Sequence, residues 1–315
     1  MSSSLLRAGD IPFYLRKISE ISRQIKSQLT TTLCRREGVT LHSARSTAGG
    51  HALRAVIRNK KEEIEKGEQE IHTKTQTEFD VNLYTKKTFL ELLISLSGGA
   101  KGYSNIELRE EVMTIIIAGT DTSAVALGFT LMLLAKYPDV QERVHKELYD
   151  VFGTSYRPLV KEDLPKLQYL ERVIKESLRL FPPVPFIIRK ILEEIELPSG
   201  RILPAGCGVA ISIWGVHRDP AHWGPDAEHF DPDRFSPERF LLEHPCSYMP
   251  FSSGPRNCLG YRYAMMSLKT VLATLLRRCR VLGEPERGPV PHIDVKIDIM
   301  MKATNGYKIS IAKRQ

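Results

Sequence analysis

The chain has 315 residues, 42% hydrophobic and 26% charged, an ordinary globular composition with apolar material for one large domain or two small ones. Lys plus Arg is 45 against 37 for Asp plus Glu, a net charge of +8 that is spread along the chain. The basic cluster from Arg58 to Lys61 runs straight into Glu62, Glu63 and Glu65, so the charge suits a solvated surface or an acidic protein partner and argues against nucleic acid. Five cysteines, an odd number with no C-x-x-C pair, argue against a disulfide framework or a zinc knuckle and suit reduced thiols facing a cytosol.

Residues 1–76 read as a poorly defined N-terminal helical segment of Lys/Arg-rich amphipathic stretches, interrupted at Gly49-Gly50. Met1 to Lys17 holds no apolar run long enough for a signal peptide or anchor. Ile57 to Gln69, with its Glu/Lys pairs, predicts an exposed helix. Phe79 to Ser97 carries an apolar helix face, FLELLISLS, that stops at Gly98-Gly99. Ser104 with Glu107 forms a capping box that opens a helix running to about Lys136, where Tyr137-Pro138 breaks it. From Val112 to Ala135 that helix is long enough to span a bilayer. An aspartate at its centre, Asp121, would cost about 2.5–3.5 kcal/mol there, so the expectation is a long helix buried in a protein core.

A short amphipathic helix follows over Asp139 to Val151, ending near Gly153. Another covers Tyr169 to Leu180, with Leu170, Val173, Ile174 and Leu178 on one face, stopped by Pro182-Pro183. From Ile187 to Ile213 β-branched runs alternate with turns. Ser199-Gly200 joins two strands, and Gly208 to Ile213 reads as a buried strand. Residues 218–257 are a Pro- and Asp-rich coil, a length usually kept for function. A helix then runs from Gly260 to about Arg280, and the alternating runs around Asn305-Gly306 predict a β-hairpin. Long helices first, then short strands and coil, give a mainly α (α+β) fold.

The strongest chemical signal is Phe251-Ser-Ser-Gly254-Pro-Arg256-Asn-Cys258-Leu-Gly260. A cysteine between two glycines, just before a helix, meets backbone N–H groups that favour its thiolate. Gly254 and Gly260 let the backbone approach a flat ligand, and Arg256 is placed to bond a carboxylate on it. A thiolate, an arginine and a tight loop fit haem ligation, in which the thiolate pushes electron density toward O–O cleavage. Taken alone, Cys258 reads more readily as a buried structural thiol in a glycine-rich loop. Two further signals are Glu176-x-x-Arg179, a pair on one helix face, and Ala118-Gly119-Thr120-Asp121-Thr122-Ser123, a polar interruption of the long helix. Alone, the first reads as an ordinary surface helix pair, and the second is as readily a kink in a core helix as a catalytic segment.

The whole string F-x-x-G-x-R-x-C-x-G resembles the signature of the cytochrome P-450 superfamily, with Ala264 at its small position one turn on. FSSGPRNCLG, LRLFPPVP and REEVMTIIIAGTDTS are most similar to the microsomal fourth family, over Thr77 to Ile311. The resemblance implies a cytochrome P-450 fold over 77–315, the C-terminal part of one domain. Cys258 is then the axial ligand of a haem b (iron protoporphyrin IX) iron. Phe251, Gly254, Arg256 and Gly260 shape the loop, and Arg189, ten residues after Arg179, contacts a haem propionate. The 118–123 segment would loosen the helical ladder to admit O₂ and water, with Asp121 and Thr122 relaying protons. Glu176, Arg179 and Arg234, the last in Phe230-Asp-Pro-Asp-Arg234-Phe235, form a buried structural charge network. Phe186, Ile187 and Ile188 would face the substrate. His217, His222 and His229 are coil or satisfied core histidines.

The implied activity is insertion of one atom of O₂ into a fatty acid, lipid or xenobiotic. Its electrons come from NADPH through cytochrome P-450 reductase, with cytochrome b5 a second candidate donor, at the cytosolic face of the endoplasmic reticulum membrane. The chain departs from the family in two residues and in length. Ala118 stands where many fourth-family members carry a glutamate that esterifies the haem, so no such bond is expected. The acidic residue common near Ser267 is absent. The family's membrane anchor, first β-sheet and early haem-pocket helices are not recognisable, so the expectation is a chain shortened at its front. That leaves a second reading, a non-catalytic product that binds no haem. A third, a cysteine-centred metal or redox module, needs another ligand near Cys258, and the sequence offers none.

Overall fold

The computed structural model describes residues 48–73, 88–99, 102–155, 157–240, 244–298 and 300–314. Within them the chain divides into two compact units, with the boundary between Thr120 and Asp121. Residues 74–87 of the two early helical segments and Cys34 lie outside the described residues.

The first unit holds α1 (Ala48–Thr73), α2 (Phe89–Leu96) and the beginning of α3 (Asn105–Lys136). α1 is not the fully solvated helix its charges suggest. Val56 and Ile57 are buried with Leu90, Ile94, Leu108 and Val112, and Leu53, Ile64, Leu93 and Ile116 pack around them. The charged side supports the same packing: Lys60 Nζ bonds Glu63 Oε2 at 2.7 Å and Glu91 Oε1 at 2.9 Å. α2 opens on a capping box of Thr88 and Glu91. α3 opens on another, with Ser104 N donating to Glu107 Oε2 at 2.8 Å and Glu107 N to Ser104 Oγ at 3.3 Å.

The second unit, from Asp121, is built on the remainder of α3. By length and composition α3 could cross a membrane. From Val125 to Ala135 its side chains are buried nearly all round, apart from Met132. Gly128 lets Tyr307 lie against the helix: a Cβ there would come within 2.6 Å of the ring. Tyr307 meets Phe129 edge-on at 5.4 Å, and Phe129 stacks on Phe181 at 4.8 Å. α4 (Pro138–Phe152) starts with proline in its first turn and stops at Gly153, whose φ is 56°. Its Gln141 is buried and spans three elements, donating to Leu134 O and Val281 O and accepting from Val281 N. α5 (Gln168–Leu180) begins where Glu147 of α4 accepts from the N–H groups of Tyr169 and Leu170, capping it from a neighbouring helix.

Among the described residues, four two-stranded antiparallel sheets complete the unit. β1 (Phe186–Lys190) pairs β4 (Gly208–Ser212), and β2 (Ile195–Glu196) pairs β3 (Ile202–Leu203) around Ser199-Gly200. β4 is not the buried strand expected: with one partner strand, its residues alternate between exposed and half-buried. α6 (Ile213–Val216) precedes the coil from 218, which contains α7 (Pro220–Trp223) and 3-10 turns at Pro232–Phe235 and Pro245–Ser247.

α8 (Tyr261–Leu276) follows the cysteine loop and is shorter than expected, because Cys279–Leu282 forms β5. The C-terminal hairpin also differs. β6 (Val295–Asp298) pairs β7 (Met300–Ala303), with Asp298 opposite Met300. β8 (Ser310–Lys313), beyond Asn305-Gly306, pairs β5 instead. Gly306 does take the positive φ of a turn, 74°. The turn redirects the chain to a strand almost thirty residues earlier, and Val281 of that strand is buried.

Candidate functional site

The site is built outward from α5. Glu176 and Arg179, three residues apart on one face, are both wholly buried and paired, Nε to Oε2 at 2.7 Å and Nη2 to Oε1 at 2.8 Å. Arg179 Nη1 donates to the carbonyls of His217 and Ala227, and Nη2 to that of His229. All five guanidinium donors are therefore used, which a buried arginine requires. Glu176 Oε1 also accepts from Asp231 N at 2.9 Å. One ion pair thus pins three points of the coil, at 217, 227 and 229–231, with Trp223 lying 4.9 Å beneath the guanidinium.

Arg234 joins this network at longer range than a direct pair. Its Nε lies 3.7 Å from Glu176 Oε1 and is buried without a hydrogen-bond partner. Its close partner is Asp226, at 2.8 Å from Nη2, and Nη1 donates to Trp223 O. Asp226 is a member that the sequence did not single out: an aspartate eight residues upstream in a Pro/Asp-rich coil looks like any turn former. The Arg234 guanidinium holds its carboxyl below the usual range.

The network reaches the cysteine loop through His217. This imidazole is fully buried; its Nδ1 donates to Arg179 O at 3.1 Å, and its Nε2 accepts from Met249 N at 2.9 Å. Burial pushes its pKa down to about 3, with the Arg179 and Arg218 charges adding to the effect, so the ring is neutral near pH 7. Reading it as a satisfied core histidine agrees with this, but its link to the loop needs partners 38 and 32 residues away.

Met249 begins the loop. Ser252 N donates to Met249 O at 3.0 Å, Cys258 N to Phe251 O at 2.8 Å and Asn257 N to Gly254 O at 3.1 Å. Two left-handed residues make the bend, Gly254 at φ 80° and Ser252 at φ 64°. α8 then starts, with Ala264 N bonded to Gly260 O. Cys258 is exposed, while Cys207, Cys246 and Cys279 are half-buried. A thiol presented to the outside by a closed set of backbone bonds differs from a structural thiol packed in a core.

The surroundings fit a flat apolar group with acidic edges. A Cβ on Gly254 or Gly260 would meet nothing within 4 Å, so the loop offers an open face. Leu259 beside the thiol is 80% exposed. Phe251 is half-buried, its ring 6.3 Å from that of Tyr261. Arg256 is exposed, and Arg189 on β1 reaches the loop, with Nη2 donating to Ser252 Oγ at 3.3 Å. On the same strand Phe186 and Ile188 are exposed and Ile187 is half-buried. Two arginines, an apolar platform and one exposed thiol are the donor set that an iron porphyrin with two carboxylates would use.

Asp121 and Thr122 stand on α3, the first exposed and the second half-buried. The helix runs without interruption through them, so the expected loosening is not seen. Thr120 Oγ1 donates to Ile116 O at 2.6 Å, sharing that carbonyl with the helical ladder. A Cβ on Gly119 would meet nothing within 4 Å.

Comparison with known proteins agrees with this geometry. The family model described as Cytochrome P450 matches residues 41–310. Rat cytochrome P-450 4V2 is 42% identical over 231 residues, covering 73% of this chain and 43% of the relative. The probable cytochrome P-450 4s3 of Drosophila melanogaster is 39% identical over 262 residues, covering 82% and 49%. A crystal structure of a cytochrome P-450, CYP102L1, superposes with a TM-score of 0.66 at 25% identity, over 84% of this chain and 55% of that one. The chain thus spans somewhat under half the length of these curated relatives. With a family model over most of its length and the cysteine loop, the Glu-x-x-Arg helix and the long helix all in place, the chain belongs to the cytochrome P-450 family.

Proposed function

We propose that this chain is a haem-thiolate monooxygenase acting on an apolar substrate of the fatty-acid, lipid or xenobiotic class. The observation that carries the reading is the exposed Cys258 thiol on a loop fastened by backbone bonds and anchored to a fully buried ion pair. When bound, the haem supplies the centre at which O₂ is reduced and one of its atoms is passed to substrate. Cys258 would hold its iron. Gly254 and Gly260 leave the face of the loop open to such a ring, Phe251 would line it, and Arg189 and Arg256 would bind its carboxylates. Asp121 and Thr122 would relay protons, and no ester from Ala118 to the haem is expected. Glu176, Arg179 and Arg234 hold the coil without taking part in the chemistry. Electrons come from NADPH through cytochrome P-450 reductase, with cytochrome b5 as a second donor, at the cytosolic face of the endoplasmic reticulum membrane.

A second reading is a P-450-like chain that is non-catalytic and takes up no haem. Reconstitution with haem separates the two. The first predicts a reduced, carbon-monoxide-bound Soret band strongly shifted to the red, as thiolate ligation gives, and its loss in C258S. The second predicts no haem uptake. A C258S chain that kept the shifted band would remove Cys258 as the ligand.

A further inference from the structure

We propose that His217 is a positioning residue for the Cys258 thiolate, transmitting the order of the Glu176–Arg179 ion pair to the root of the cysteine loop. The inference rests on the haem-thiolate reading of Cys258 and adds to it a residue that touches neither iron nor porphyrin. Arg179 and His217 bond each other twice, Nη1 of the arginine to His217 O at 2.8 Å and Nδ1 of the imidazole to Arg179 O at 3.1 Å. The opposite ring nitrogen accepts from Met249 N at 2.9 Å. From Met249 the bonds continue through Ser252 N to Met249 O, and then through Cys258 N to Phe251 O. Tyr248 reinforces the same point: its ring stacks on His217 at 5.3 Å, and its hydroxyl donates to Lys175 O on α5 at 3.0 Å. Residues 248 and 249 are thereby tied to α5 directly by the Tyr248 hydroxyl and indirectly through His217, by one stack and two hydrogen bonds in series, and the loop leaves from that fixed point. Without the Nε2 acceptor, Met249 N–H is a buried donor with no partner, and the loop must shift to rehydrate it.

Two substitutions separate the bonds from the bulk. H217F keeps a ring to stack on Tyr248 but has neither donor nor acceptor. H217Q lacks the ring but keeps one donor and one acceptor on a single planar group. The first measurement is amide hydrogen exchange on the haem-free chain. H217F is expected to exchange about tenfold faster over residues 249–258 while α4 and α8 keep wild-type protection, the equivalent of one lost hydrogen bond. H217Q is expected to stay within a factor of two or three of wild type. The second is the share of thiolate-ligated Soret band after reduction and carbon monoxide binding, reduced in H217F and retained in H217Q. Wild-type protection in H217F together with fast exchange in H217Q would show that ring volume is what matters, and would overturn the proposal. Faster exchange in H217F spread equally over α4 and α8 would also overturn it. If the wild-type chain takes up no haem, the monooxygenase reading fails, while the exchange data still decide the role of His217.

Discussion

His217 sets a pH dependence that can be read without haem. An imidazole freed by unfolding takes up a proton near 6.5, and the buried one does so only near pH 3. Between those values the unfolded chain binds the extra proton, so stability is fully present above about pH 6.5 and falls as the pH drops toward 3. Carboxylates contribute to acid unfolding as well: Glu91 and Glu286, each hydrogen-bonded and ion-paired, are pulled down to about 2 and lose their stabilisation only at lower pH. The histidine's share is therefore the difference between wild type and H217Q. Urea midpoints measured from pH 7 to pH 4.5 should fall more steeply for wild type than for H217Q, and the two curves should approach each other toward the acid end. Parallel curves would mean that the imidazole takes up its proton in the folded chain without cost.

At the scale of the element, Gly128 on α3 shows how packing overrides propensity. Alanine in a helix interior is favoured over glycine by about 1 kcal/mol. Here the new methyl would come within 2.6–2.8 Å of the Tyr307 ring, close to its attachment at Cγ and not at a free end, and Tyr307 is itself fixed edge-on to Phe129. Overpacking of that kind costs about 1–3 kcal/mol, so G128A is expected to lower stability despite the better helix former. The same substitution with Tyr307 cut to alanine should recover the helix gain, and a double-mutant cycle on urea unfolding checks both. Neither partner is legible alone, since a glycine amid apolar residues on a helix names no neighbour 179 residues away. What could be read was local in origin: the Ser104–Glu107 box, the Gly153 stop, the Glu176–Arg179 spacing and the cysteine loop each lie within ten residues of chain. What could not be read depended on a distant partner. Asp226 and His217 look like ordinary coil residues until Arg234 and Met249 are placed beside them. The Asn305-Gly306 turn was recognisable, but the strand it serves was not.

Over the whole 121–315 unit, closure depends on that distant strand pairing. β5 is held on one side by β8, with Cys279 opposite Lys313 and Leu282 opposite Ser310, and on the other by the Gln141 amide, which bonds both N and O of Val281 as a neighbouring strand would. Arg314 continues the closure, its N–H donating to Arg278 O and its guanidinium meeting Glu142 at 3.0 Å. Ending the chain at Lys308 would leave the backbone of Arg280 and Leu282 unpaired and uncover Val281, which is now buried. Loss of a strand's hydrogen bonds at about 1 kcal/mol each, together with that burial, predicts a fall of a few kcal/mol in urea unfolding. R314A keeps the strand and removes an ion pair whose glutamate is 43% exposed, so its cost should stay below about 1 kcal/mol. If R314A proved as damaging as the deletion, charge would be closing the unit, and the pairing of β8 with β5 would be a bystander to it.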